Sequence, residues 1–133
     1  MVTRAEFPAA FGEQRFDVIL DPVGGPTRRA NLALLAPHGR LAVYGNLASF
    51  EPVEVSANEL LTHGQSLLTY NSNLLSRTDP DRLAARAARA LALVADGSVR
   101  VDVTAEHPLA AAAEAVDRLA AGATLGKSVL RIR

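Results

Sequence analysis

The stretch FDVILDPVGG, residues 16–25, combines the pattern of a buried strand with that of a tight turn. Its apolar run is short and is followed at once by an acid, a proline and two glycines, which predicts a strand over 16–20. Pro26 suits the first turn of a helix, where its missing N–H leaves no hydrogen bond unmade. The stretch therefore predicts a strand, a turn and a helix in succession.

The rest of the chain repeats this alternation. Further strands are predicted at 40–45, 66–70, 99–104 and 127–132, and helices at 26–36, 57–63, 80–96 and 109–121, with a weak short helix at 5–12. Strands that alternate with helices pair in parallel, so the order predicts one α/β unit with helices on the faces of its sheet.

Helix ends are marked by the residues that cap them. Ser56 and Glu59 have capping-box spacing, and Asp79 stands directly before Pro80. Gly39 and Gly64 are available for left-handed caps. On the longest helix Leu83, Ala87, Leu91 and Val94 fall on one face, and on the last Leu109, Ala112, Val116 and Leu119 do so; both faces are expected to point inward.

Composition narrows the classes of function. The formal net charge of zero argues against nucleic acid or an anionic membrane as the main partner. Cysteine is absent, which excludes disulfides and thiolate chemistry and fits a cytoplasmic location. No signal peptide and no apolar stretch of roughly 18 residues is found. His38, His63 and His107 lack ligand spacing, so no metal site is predicted.

Three strand ends carry the candidate site: DPVGG at 21–25, YGN at 44–46 and TYNSN at 69–73. Ligands of open α/β sheets bind beyond the carboxyl ends of the strands. Glycines allow close approach, and the amides of 23–25 can face an anion or an amide carbonyl. The same residues also make ordinary tight turns. Asp21 is either a general base or a cap of the next turn, and Tyr44 and Tyr70 are either proton donors or packing residues.

A family resemblance rests on segments that occur in a fixed order. FDVILDPVGG, LAPHGRLAVYG, the SLL strand, the DP helix start, DGSVRVDVTAEHPLAAAAEAVDRLAAG and LGKSVLRI together resemble the C-terminal part of the zinc-independent quinone oxidoreductase group of medium-chain dehydrogenases/reductases. The resemblance implies that 1–98 form the second half of a Rossmann-type parallel sheet. Residues 99–133 would be a C-terminal β-α-β segment that packs with the substrate domain.

The resemblance also implies a cofactor, NADPH or NADH, and the residues that border its nicotinamide half. They are Asp21, Pro22, Val23, Gly24, Gly45, Asn46, Tyr70, Asn71 and Lys127. It identifies no catalytic residue. The Gly-rich pyrophosphate loop and the substrate domain of the family have no counterpart in these 133 residues, which indicates a truncated member. Cofactor binding by this chain alone is therefore expected to be weak or absent.

Three functions remain open at this point. The first is a partial NAD(P)H-dependent quinone or enone oxidoreductase, inactive until a partner completes it. The second is a non-catalytic dimerisation module or remnant, and the third is a small non-redox enzyme that reuses the strand-end pocket for a small-molecule ligand. The FDVIL strand lacks the neighbour it has in the family, and SLLTY resembles the edge through which such reductases dimerise. A homodimer or a companion chain is expected.

Overall fold

The computed structural model describes residues 6–132, an α/β chain that divides into two units between Pro80 and Asp81. Its elements are β1 (Phe16–Asp21), α1 (Gly25–Ala33), β2 (Leu35–Val43), α2 (Ala57–His63), β3 (Ser66–Thr69), α3 (Ser72–Thr78), α4 (Pro80–Ala95), β4 (Val103–Pro108), α5 (Ala112–Ala120) and β5 (Lys127–Arg131). The predicted α/β class is confirmed. The division into 1–98 and 99–133 concerns the domains of a longer family member and stays a prediction.

The first unit is built on a three-stranded parallel sheet in the order β1-β2-β3. Asp21 lies beside Val43, and Val43 lies beside Thr69, so the three strands end at one level. The segments that follow the strands are therefore neighbours along one side of the sheet, which is called the carboxyl edge below.

One face of this sheet is covered and the other is open. Leu41 near the centre of β2 is fully buried, and Leu35, the first residue of β2, and Leu34 just before it are also buried. Side chains alternate between the two faces of a strand, and Val18 and Leu20 of β1 are 58% and 65% exposed. Within residues 6–80, β1 therefore leaves the apolar side chains of Val18 and Leu20 exposed to solvent.

The end of α1 differs from the prediction. The helix ends at Ala33 instead of about residue 36, and the residue with a left-handed backbone is His38 (φ 65°), not Gly39. The reason is that β2 already begins at Leu35, so pairing with β1 takes over the backbone groups that a longer helix would use. Gly39 is needed for space, because a Cβ there would lie 2.9 Å from the Ala36 carbonyl oxygen.

The helix that follows β2 confirms the predicted Ser56 and Gly64 caps. The Ser56 hydroxyl accepts a hydrogen bond from the Glu59 N–H at 3.4 Å, and Gly64 ends α2 with a φ of 63°. Further along, α3 was not predicted, although it begins with the same chemistry. The Asn71 side chain accepts a hydrogen bond from the Leu74 N–H at 2.9 Å and so caps this helix.

The second unit holds α4, α5 and a two-stranded parallel sheet of β4 and β5. The predicted strand at 99–104 is observed later, at Val103–Pro108. Residues 96–98 form a turn in which the Ser98 N–H donates to the Asp96 carboxylate at 2.8 Å. Hydrogen bonds from the Ser98 side chain and backbone lower the pKa of the Asp96 carboxyl below its usual value. The predicted helix at 109–121 is a 3-10 turn, Leu109–Ala111, followed by α5.

The expected burial of the apolar faces of α4 and α5 is wrong. Neither helix contains a buried residue. Leu91 of α4 is 70% exposed, and Val116 and Leu119 of α5 are 61% and 65% exposed. A helix buries its apolar stripe only against another layer, and the two strands of this unit are too few to cover both helices. Among residues 6–132, no helix is long and apolar enough to cross a membrane.

Candidate functional site

The carboxyl edge joins most of the residues expected to border the cofactor. The first segment after a strand, 21–25, is bonded to the second, 44–48, by backbone groups. The Leu47 N–H donates to the Pro22 carbonyl at 2.9 Å, and the Ala48 N–H donates to the Val23 carbonyl at 3.0 Å. The third segment joins them through the Tyr70 N–H, which donates to the Val43 carbonyl at 2.9 Å.

Asp21 is the fully buried acid of this edge. Its Oδ1 accepts hydrogen bonds from the backbone N–H groups of Val23 at 2.7 Å and Gly24 at 3.1 Å. Its Oδ2 accepts one from the Arg28 guanidinium at 3.0 Å. A carboxylate that accepts three hydrogen bonds and has no exposed surface is a cap and an anchor. The geometry therefore favours the cap over the general base, the two roles that the sequence left open.

The two glycines of DPVGG are needed for close approach, but the group that approaches is part of the chain itself. Gly24 and Gly25 have φ values of 85° and 51°. A Cβ on Gly24 would lie 2.4 Å from the Ser49 carbonyl oxygen, and one on Gly25 would lie 2.6 Å from the Ser49 side chain. The loop after β2 thus covers these glycines. Since the amides of Val23 and Gly24 already bind Asp21, they are not free to hold an anion.

Sequence reasoning missed Arg28. Its Nη2 donates to the Gly45 carbonyl at 2.7 Å while its Nε binds Asp21, and only 14% of its side chain is exposed. The available signal was a cation seven residues after an acid, near the start of a helix whose first turn contains no acidic residue. A positive charge there is unfavourable for the helix dipole and calls for an anionic partner.

The surface of the carboxyl edge is formed by aromatic and amide side chains. Tyr44 is 49% exposed and Tyr70 is 44% exposed. Asn46 is half-buried, and its Oδ1 lies beside Gly24, 3.0 Å from where a Cβ on that residue would be. Asn71 is exposed but uses its side-chain oxygen to cap α3. Flat rings next to donors and acceptors suit a planar ligand that carries an amide.

Lys127, the remaining predicted residue, belongs to the second unit. It begins β5, its side chain is exposed, and its N–H donates to the Asp102 carbonyl at 2.8 Å. Its contact with a cofactor stays a prediction.

Across the described chain, no group of three or more His, Asp or Glu side chains is arranged to hold a metal ion.

A cavity of about 570 Å³ lies at the opposite edge of the first sheet. Arg15, Leu35 and Gln65, which precede or begin the three strands, are part of its lining. The Gln65 amide donates to the carbonyls of Leu35 and Ala36 at 3.2 and 3.3 Å. None of the predicted site residues lines this cavity, so it is separate from the carboxyl edge.

Comparison with known proteins gives a match over almost the whole chain. A family model described as zinc-binding dehydrogenase matches residues 2–130. The quinone oxidoreductase of Pseudomonas aeruginosa is 34% identical over 114 residues, which are 85% of this chain and 34% of that protein.

Solved structures agree with this match. A mycobacterial protein complexed with NADPH is 30% identical with a TM-score of 0.65, over 92% of this chain and 37% of that one. A thermostable alcohol dehydrogenase from Pyrobaculum aerophilum shares the fold at 21% identity, with a TM-score of 0.67, over 93% of this chain and 34% of that one. The chain spans about a third of the length of these relatives.

Proposed function

The chain belongs to the zinc-binding dehydrogenase family, and from that membership we propose that it is part of an NAD(P)H-dependent quinone or enone reductase. In that reductase it supplies the wall of the cofactor site on the nicotinamide side. Its similarity to a quinone oxidoreductase supports the substrate class, and its similarity to a protein that binds NADPH supports the cofactor.

One observation carries the proposal. Eight of the nine residues that the family resemblance assigns to the cofactor end or follow strands that stop at the same level of one sheet, and they belong to segments bonded to one another. Turns that served only to reverse the chain would not need exposed tyrosines at two adjacent strand ends. Tyr44 and Tyr70 are such tyrosines.

The residues of the edge fit the nicotinamide ring better than a phosphate group. Tyr44 and Tyr70 offer exposed aromatic rings, and Tyr44, Tyr70 and Asn46 carry hydrogen-bond donors and acceptors. The amides of Val23 and Gly24, which a phosphate would use, are bound to Asp21. Once bound, the cofactor supplies the hydride, while this chain holds the ring in orientation and excludes water from one side of it.

We expect the chain alone to bind NADPH with a dissociation constant no tighter than the high-micromolar range. These 133 residues contain no Gly-x-Gly-x-x-Gly loop for the pyrophosphate. Each charge-assisted hydrogen bond that is lost forfeits about 1.5–3 kcal/mol, and a pyrophosphate forms several. Titration with NADPH, followed by nicotinamide fluorescence and by backbone amide NMR, measures both the affinity and the residues affected.

The variants Asn46→Ala and Asn58→Ala provide the matched comparison for this titration. Asn58 is an exposed asparagine of α2 away from the carboxyl edge, so its loss should leave the shifts at 44–46 and 70–71 unchanged. The loss of Asn46 should reduce them. Sub-micromolar affinity would contradict the expectation that this chain forms only part of the cofactor site. The absence of local shifts at millimolar NADPH would contradict the proposal that the carboxyl edge contacts the cofactor.

We also propose that the chain associates, with a second copy or with a companion chain. In the described part of the chain, β1 is hydrogen-bonded on one side only, to β2. An edge strand with exposed apolar side chains such as Val18 and Leu20 is a template for another strand. At tens of micromolar, light scattering should give a mass above that of one chain.

A lysine substitution distinguishes edge pairing from other contacts. Val18→Lys places a charge at an exposed position of the edge strand β1 and should lower the association constant. Val53→Lys, in the loop before α2, should not lower it. A wild-type chain that stays a single copy at this concentration would contradict the association. If association occurs without any binding of NADPH, the non-catalytic interaction module is the better reading.

A further inference from the structure

We propose that Arg28 is the positioning residue of the carboxyl edge. Its guanidinium holds the ends of β1 and β2 at one separation and so fixes the distance between segments 21–25 and 44–48, which face the nicotinamide ring in the proposed function. That this spacing serves to place a nicotinamide ring rests on the proposed function. The link itself depends only on contacts within this chain.

The link begins with the location of Arg28 near the start of α1. The first turn of α1 contains no acidic residue, and Asp21, at the end of β1, is the acid that pairs with Arg28. Both side chains are withdrawn from solvent, Asp21 completely and Arg28 to 14% exposure. A buried pair of this kind has a large cost when one partner is lost, so it is retained in one arrangement.

The guanidinium uses separate nitrogens for the two strand ends. Nε binds Asp21 Oδ2 at 3.0 Å, and Nη2 binds the Gly45 carbonyl at 2.7 Å. On the far side of the same carboxylate, Oδ1 holds the amides of Val23 and Gly24. One side chain therefore connects the turn after β1 to the residue that follows Tyr44 at the end of β2.

Arginine is suited to this task and lysine is not. The guanidinium is planar and rigid, and its donors point in fixed directions, whereas the lysine ammonium is a flexible point charge. Lysine at position 28 could neutralise Asp21, but it would not hold Gly45 at a fixed distance at the same time. The charge and the positioning can therefore be tested apart.

The position of the Gly45–Asn46 segment matters because hydride transfer depends on near-attack geometry. A displacement of about 1 Å can cost on the order of a hundredfold in rate. The backbone bonds from Leu47 and Ala48 to the first segment also join the two loops. If Arg28 positions the second loop, its loss must loosen these bonds as well as the turn that Asp21 caps.

The test uses the full chain and two variants of the same residue, Arg28→Lys and Arg28→Met. Amide hydrogen exchange followed by NMR should increase at least about tenfold at both Val23–Gly24 and Leu47–Ala48 in Arg28→Met, about the effect of losing one charge-assisted hydrogen bond. In Arg28→Lys, where the ammonium still neutralises Asp21, the increase is expected at Leu47–Ala48. Amides of α2 should not change. Arg29→Met is the matched control, since Arg29 is 66% exposed and pairs with Glu51 at 3.5 Å.

The Arg28→Lys variant distinguishes a positioning role of Arg28 from a role of its charge alone. It does so even if Arg28→Met fails to fold. Faster exchange at Leu47 and Ala48 in the lysine variant supports positioning. Full protection at these two amides in the lysine variant would overturn it, because charge alone would then suffice.

A second arm separates this inference from the proposed function. NADPH is titrated into the wild-type chain and into Arg28→Lys, and the shifts of the Gly45 and Asn46 amides are compared. Shifts in the wild type that are reduced at least about threefold in the variant support the positioning role. Equal shifts would overturn it. If the wild type shows no shifts, the proposed function fails, while the exchange measurements still decide the role of Arg28.

Discussion

Replacement of Asp21 by alanine should lower the free energy of unfolding of the first unit by about 3–5 kcal/mol, the range found when one partner of a buried ion pair is removed. The carboxylate is completely buried and accepts hydrogen bonds from Val23, Gly24 and Arg28. Alanine would leave the Arg28 guanidinium buried next to an apolar methyl group and would free two amides at the start of α1. Chemical denaturation followed by circular dichroism measures the loss.

Asp17→Ala is the control for this prediction, because Asp17 is an exposed acid on the same strand. Its loss should change stability by no more than about 0.5 kcal/mol. Asp21→Asn should fall between the two, since the asparagine oxygen still accepts from the backbone amides but no longer balances the arginine. A loss below about 1 kcal/mol for Asp21→Ala would mean that the ion pair does not form in solution.

The second large effect is expected at Gly24. Gly24→Ala combines a backbone conformation that essentially only glycine adopts, φ 85° and ψ −176°, with a Cβ that would lie 2.4 Å from the Ser49 carbonyl oxygen. Strain at such a position and steric overlap each cost about 1–3 kcal/mol, so we expect a total loss of about 2–6 kcal/mol. The loop after β2 should also move, which amide exchange at Leu47 and Ala48 would detect.

Gly97→Ala is the comparison at a glycine of positive φ that has no close neighbour. Gly97 has a φ of 80°, close to that of Gly24, but a Cβ there would find nothing within 4 Å. Its replacement should therefore cost only the backbone strain, about 1 kcal/mol. Equal losses at the two glycines would contradict the close packing of Ser49 against the DPVGG turn.

Local patterns were sufficient for much of the first unit. The short apolar run before DPVGG predicted β1, and the Ser56 cap and Gly64 predicted both ends of α2, because the groups that cap a helix lie within a turn of its end. The same cap chemistry at Asn71 was present but was not recognised, so α3 was missed.

The sequence predicted less well the ends of helices and strands that depend on residues far away along the chain. The end of α1 and the start of β2 depend on pairing with Phe16 and the residues after it, and β4 lies where β5 pairs with it. Periodicity identified the apolar stripes of α4 and α5 correctly as stripes. It did not predict their exposure, because burial depends on a second layer and not on the sequence of the helix itself.

The sequence by itself determined the α/β class, the family and most of the residues that lie where the three strands of the first sheet end, because these depend on short patterns and on their order along the chain. Only the tertiary structure decided what those residues do for one another. Asp21 is an anchor because Arg28 and two amides reach it, and the glycines of DPVGG are covered because Ser49 lies against them. The reason is physical: Ser49 and Gly45 are more than fifteen residues away from their partners along the chain, and only folding brings them within hydrogen-bond or van der Waals distance.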